Sequence, residues 1–168
     1  MANTFVKIAT VTVGAGGSAS MAFTSIPSTY TDLCLKFSGR SARVANTDDM
    51  VIEVNATSGT SRWLWGTGSA AASGTDTQPL LGEWSTANST ASTFTNCEIY
   101  IPNYASTTTY KSWSADAVSE NNATLAYAAL TAGLYSSNSA ITSLTLKTGS
   151  GSNLVQYSTA TLYGISKS

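Results

Sequence analysis

The chain contains no histidine. That removes the Ser-His-Asp and Cys-His mechanisms, and with them the commonest general base and metal ligand. Charge is nearly as scarce. Only 10% of residues are Asp, Glu, Lys or Arg, against about 25% in an average globular protein. The formal net charge is −1, so no basic field exists to hold a phosphate backbone, and nucleic acid is not an expected partner. No apolar run approaches the ~20 residues that a membrane-spanning helix needs. The start, Met1 to Lys7, lacks a positive segment followed by an apolar stretch, which points away from secretion and towards synthesis in a cytoplasm. There are two cysteines, without a CxxC pair, so no zinc site is expected. Cys34 and Cys97 sit at strand-like positions among apolar neighbours and read as reduced, buried thiols. A disulfide would require their strands to face each other across the core.

What fills the composition is hydroxyl. Serine and threonine make up about three residues in ten, where loops and strand faces would ordinarily carry Lys and Glu. Threonine favours strands, and a neutral hydroxyl surface is cheaper to dehydrate than a charged one. With 42% hydrophobic residues over 168 positions, the chain can bury a core of its own as one domain.

Periodicity is close to two along most of the chain. Thr4 to Val13 ends in the turn Gly14-Ala15-Gly16-Gly17, Ser18 to Thr24 returns, and Ser25 to Tyr30 makes a corner at Pro27. Leu33, Leu35 and Phe37 alternate with Cys34, Lys36 and Ser38. Met50, Ile52 and Val54 alternate with Val51, Glu53 and Asn55. Ser61 to Gly66 carries Trp63 and Trp65 on one face. The run from Gly66 to Gln78, rich in Gly, Ser, Ala and Thr, reads as a loop. Strands are expected again at Leu80–Trp84, Thr93–Ile101, Tyr110–Val118, Leu125–Tyr135, Ala140–Lys147 and Leu154–Ile165. Asn122 to Leu134 is alanine-rich and compatible with a helix, but its aromatics and threonine favour strand, with room for a helical turn at Glu120–Asn122. The sum is an all-β fold: a single antiparallel β-sandwich over 1–168, jelly-roll-like, with about ten short strands. Residues 1–13 form an N-terminal arm or an edge strand.

The search for chemistry leaves carboxylates. Asp48, Asp49 and Glu53 form one group, Asp116 and Glu120 another, and a glycosidase would need two carboxyls facing across a cleft. Asn46 to Asp49 offers oxygen ligands to calcium, but a solvated turn with Asx hydrogen bonds is the better explanation. The glycine clusters lack the partners of a phosphate loop. No cofactor is implied, and the sequons at Asn55, Asn88 and Asn122 are chance products of so hydroxyl-rich a chain. Tryptophans can fill a core or an interface, or stack on sugar rings. Trp63, Trp65 and Trp84 are therefore candidate partner contacts, and Phe5, Val6 and Ile8 are others, on a strand that could extend a neighbour's sheet.

The stretch Cys97-Glu98-Ile99-Tyr100-Ile101-Pro102-Asn103-Tyr104, then Ser119-Glu120-Asn121-Asn122-Ala123, and Gln156 to Ile165 resemble a family of small structural proteins of tailed bacteriophages, especially phages of cyanobacteria and other aquatic bacteria. Ser25 to Leu33 carries the same resemblance, so it spans nearly the whole chain. It implies a non-enzymatic virion component with a β-sandwich fold, and brings no catalytic residues. The role it implies is a capsid decoration, or cement, protein on the capsid exterior, bound to the major capsid protein and assembled as a homotrimer. The alternative it leaves open is a tail fibre or receptor-binding module that takes glycan, in which some tryptophans would stand exposed at loop tips.

Overall fold

A computed structural model describes residues 4–57, 59–122 and 126–166. Among them run twelve strands and no helix: β1 (Phe5–Thr12), β2 (Ser20–Phe23), β3 (Asp32–Gly39), β4 (Asp48–Val54), β5 (Thr60–Gly66) and β6 (Ala71–Asp76), then β7 (Leu80–Trp84), β8 (Thr95–Ile101), β9 (Lys111–Glu120), β10 (Ala126–Tyr135), β11 (Leu144–Thr148) and β12 (Thr159–Ile165). Every strand pair is antiparallel. Two sheets result, an eight-stranded one in the order β1-β12-β3-β8-β9-β10-β5-β6 and a four-stranded one in the order β2-β11-β4-β7.

The connectivity follows from nested pairing. β1 pairs β12, β2 pairs β11, β3 pairs β8 and β4 pairs β7, so eight strands form one long ribbon whose successive pairs alternate between the sheets. Two hairpins are inserted into it. β5–β6 lies between β4 and β7, β9–β10 lies between β8 and β11, and both extend the larger sheet beyond β8.

The core lies between the sheets. Leu33, Leu35 and Phe37 from β3 meet Met50, Ile52 and Val54 from β4, together with Ile99, Leu146 and Leu162. Period-two burial is plainest in β8 and β9, where inward and outward residues alternate without a break. Cys34 and Cys97 are both free and buried. They sit on adjacent strands, but Cys97 pairs with the core residue Phe37 while Cys34 occupies the opposite face between Tyr100 and Tyr163. That places a sheet between the sulfurs and excludes a disulfide. Burial, with Glu98 nearby, pushes the Cys34 thiol up to about 11, and burial raises Cys97 as well. Neither is a reactive thiolate at neutral pH.

The structure departs from the sequence reading in four places. Ala71–Asp76, expected within a loop, is a strand paired with β5 from Ser61↔Asp76 to Gly66↔Ala71. Its residues show no apolar alternation, and the segment is fixed by its neighbour: Trp63 lies over Gly74, where a β-carbon would come within 2.5 Å of the ring. Ala140–Ser143 is not strand, because Asn55 takes over its hydrogen bonds, donating to Ala140 O (2.8 Å) and accepting from Thr142 N (2.8 Å) and Ser143 N (3.1 Å). Leu154 makes only isolated bridges to Ser18 and Ser41 before β12 begins. Glu120 ends β9 and Asn122 adopts φ 58°, a turn rather than a helical one. Position 125, expected to open β10, lies outside the described residues.

Candidate interaction surfaces

The larger sheet is wider than the smaller by four strands, so β9, β10 and β5 have an unusual environment. On their inner side they meet β7, the edge strand of the small sheet. The approach is close. A β-carbon on Gly82 would stand 2.9 Å from that of Ala117 and 3.3 Å from that of Ala129, and Gly82 itself adopts φ 139°, open chiefly to glycine. Small inward residues are thus a condition of the packing. The aliphatic residues Leu130, Val118 and Leu64 point out instead, and are 60%, 52% and 51% exposed. Register places them together: Leu130 stands between Asp116 and Leu64, and Ala128 stands between Val118 and Gly66. Leu134 is exposed further along the same strand. Shallow troughs flank Leu130. One is lined by Gly66, Ala71, Val118 and Ala128, another by Arg62, Ser114 and Ala132.

Charges on this face are few. Lys36 and Glu98 form an ion pair at 2.7 Å. Asp116 lies directly opposite Glu98 on the neighbouring strand, an unfavourable like-charge pairing, and forms no ion pair among the described residues. Arg62, across β10 from β9, donates to the Thr75 hydroxyl and likewise lacks a carboxylate.

A second surface is the edge of the large sheet at β1. This strand pairs on one side only, with a register shift between Lys7 and Ala9. Phe5 is 52% exposed and meets Tyr163 edge-on at 6.2 Å, whereas Ile8 packs partly on the core and Val6 is half-buried. Among the described residues Phe5–Thr12 is therefore an edge strand, with one side of its backbone available to a neighbour.

The tryptophans divide. Trp84 is fully buried, tilted against Phe37 at 5.3 Å, with its Nε1 donating to Lys147 O at 3.2 Å. It is a core residue and cannot be a partner contact, a correction to the sequence expectation. Its position on an edge strand concealed this, because the neighbouring large sheet covers it. Trp63 and Trp65 are half-buried on the inner face of β5. With Asp76, Leu80, Gly82, Glu83 and Ala129 they line a pocket of about 100 Å³. Two buried polar atoms here, Trp63 Nε1 and Glu83 Oε2, have no hydrogen-bond partner among the described residues. Burial first, and Asp49 directly opposite on β4, hold the Glu83 carboxyl up at about 7. Burial also raises Asp49, with Asp48 and Asp76 adding to it.

Three of the five carboxylates weighed for catalysis or calcium, Asp48, Glu53 and Glu120, are engaged in the fold. Asp48 is buried and accepts from Ser41 Oγ (2.6 Å), Ser150 Oγ (2.8 Å) and Ser150 N (3.1 Å), with Arg43 3.7 Å away. It ties the 41–48 loop to the turn after β11. Glu53 pairs with Lys147, and Glu120 caps Thr90 N (2.8 Å) and Asn122 N (2.7 Å). Among the described residues no group of three or more His, Cys, Asp or Glu is arranged to hold a metal. Asp48→Ala is expected to cost about 3 kcal/mol, because it leaves a buried hydroxyl and an amide unpaired. Urea denaturation measures the loss, and Asp48→Asn should recover part of it.

Sequence reasoning missed Leu64, Val118, Leu130 and Leu134. The available signal was β10 itself, where leucines alternate with alanine, threonine and glycine. A reader assigns the leucines to the core, and only the close approach of β7 reverses the assignment. No family model matches the chain, and no curated protein or solved structure matches it either.

Proposed function

We propose that this protein is a structural, non-enzymatic component of a bacteriophage particle, a decoration protein that binds the capsid lattice from outside. The observation that carries the reading is the uncovered apolar face of β9, β10 and β5. A contiguous exposed apolar patch marks a surface meant to be covered by protein, and low charge lets such contacts tolerate changes in salt. The nested pairing of eight strands supports a jelly-roll reading, an architecture used by viral capsid and lectin domains. The β1 edge, with Phe5 exposed at its end, is the place where the shell protein would add a strand.

A second reading, a glycan-binding module of the tail, draws on one observation, the unpartnered Trp63 Nε1 in the pocket beside Trp65. Against it, none of the three tryptophans offered as contacts stands at a loop tip: Trp84 is buried, and Trp63 and Trp65 face inward. Co-sedimentation of the purified protein with undecorated capsids tests the proposal. Saturable binding at hundreds of copies per particle is the expected result. A handful of copies per particle would move the protein to the tail, and a glycan-dependent change in tryptophan fluorescence would then support the second reading. Deleting residues 2–7 removes the exposed end of β1 and keeps the Ala9–Thr12 ladder. The shortened chain is expected to fold and to lose capsid binding.

A further inference from the structure

We propose that the apolar face of β9, β10 and β5 is covered by a second copy of the same chain, in a two-fold pair whose axis runs along β10. The inference rests on the reading of this face as an assembly surface, and it names the occupant.

The face is complementary to itself at two levels, Val118 with Gly66 and Arg62 beside Asp116, while Leu64 falls over Asp116 at the level between. β10 is the midline, with β5 on one side and β9 on the other. A two-fold axis parallel to β10 lays each β5 over the β9 of the other copy and keeps position along the strands unchanged. Val118 then falls over Gly66 of the second copy, and the trough lined by Gly66, Ala71 and Ala128 receives it. Nothing in that trough competes for the space: a β-carbon built on Gly66 would touch only Ala70 O, at 3.8 Å. Leu130 sits at the axis and meets its own counterpart. Arg62 is level with Ser114, because both pair with Ala132. It therefore comes down over Ser114 of the second copy, one same-face position, about 7 Å, from Asp116. An arginine side chain that crosses the ~10 Å between packed sheets and leans along the strand brings its guanidinium to the carboxylate.

Charge argues for this occupant. Within one copy Arg62 and Asp116 are two strand spacings apart sideways and two residues apart along the strands, about 12 Å on the diagonal across β10. Among the described residues each lacks an opposite charge of its own, and Asp116 is additionally pressed by Glu98. Pairing two copies supplies Asp116 with a guanidinium and Arg62 with a carboxylate, twice per dimer. A face that repeats its own contacts about an axis gives an isologous, closed pair. It thus places a two-fold contact where the phage resemblance implied a threefold one.

Sedimentation equilibrium on the full chain tests the pairing. Wild type is expected to sediment as a dimer. Arg62→Asp and Asp116→Arg, both at exposed positions, should each weaken association by roughly tenfold or more through like-charge contact. The double variant carrying both changes should regain wild-type association, since only contacts between copies are then restored. A monomeric or trimeric wild type would overturn the proposal, as would a double variant no better than the singles. Far-UV circular dichroism of each variant checks that the fold is kept. The same variants in capsid co-sedimentation separate the two readings. Dimers that bind no capsid would sink the decoration role and leave the pairing intact, whereas a wild-type monomer that decorates capsids would do the reverse.

Discussion

Gly133→Val is expected to be the most damaging single substitution in the protein, lowering stability by at least about 3 kcal/mol, beyond the usual 1–3 for an overpacked core. Gly133 stands directly opposite Trp113 on the neighbouring strand. The indole lies flat across the glycine, so that a β-carbon there would sit 1.8 Å from Cζ2 and 1.9 Å from Cε2. Trp113 is buried in the core and has nowhere to move. Trp113→Ala alone should cost about 3–5 kcal/mol for the lost burial and the cavity. Because the two residues occupy one space, the double variant Gly133→Val/Trp113→Ala should be less damaged than the sum of the singles, by 1 kcal/mol or more. Urea denaturation of all four proteins gives the cycle. Gly14→Ala, where nothing lies within 4 Å of the added carbon, serves as the control and should barely move the midpoint. An additive cycle, or a Gly133→Val protein with the wild-type midpoint, would show that the ring does not lie on the glycine.

The same device explains why some of the fold could be read from the residues and some could not. Where large apolar side chains alternate with polar ones, as in Leu33–Phe37, Met50–Val54 and Cys97–Ile101, strand, face and core assignment all follow from period two. Where an aromatic ring rests on a glycine, the strand that supplies the glycine carries no signal of its own. β6 was invisible for that reason, since Gly74 is where Trp63 lies. The interaction face was hidden by a related effect. Ala117, Ala129 and Gly82 are small so that β7 can come close, and the leucines of β10 and β5 are left outside. Local pattern gives the period of a strand. Which side is the core depends on the strand lying across it, and β7 reaches β9 and β10 only through the tertiary fold. The polar ties were equally illegible. Asn55, a chance sequon in sequence terms, adopts φ 51° and binds Tyr135 Oη (3.1 Å) as well as the 140–143 loop. Asp48, one of a pair of adjacent acids in sequence terms, turns out to be the one tied into the fold, by Ser41 and Ser150.

Glu83 should make the protein more stable in mild acid than at alkaline pH, and the dependence should vanish in Glu83→Gln. Burial lifts its carboxyl from 4.5 to about 7, with Asp49 opposite it adding to the effect and a hydrogen bond with Thr47, then Arg43, opposing. Between those two pH values the folded chain therefore holds a proton that the unfolded chain has released, and the slope of stability against pH is negative. The contribution is complete below about 4.5, declines through the interval, and is lost once pH has risen past 7. The interval from 4.5 to about 7 corresponds to at most about 3.5 kcal/mol, since each pH unit is worth about 1.4. Asp49 shifts in the same direction, chiefly through burial and then through Asp48 and Asp76, so it steepens the fall slightly without changing its sign. Glutamine keeps the shape of the side chain and has no proton to lose. Glu83→Gln should match wild type near pH 5, exceed it by about 2–3 kcal/mol near pH 8.5, and do so by urea denaturation with unchanged m-values. Asp49→Asn should lower the titration midpoint of Glu83 and recover part of that gain, because it removes the facing charge and leaves the burial. Parallel stability profiles for wild type and Glu83→Gln across this range would mean that Glu83 is solvated and ionised in the folded chain. The carboxyl would then lie outside the Trp63–Trp65 pocket.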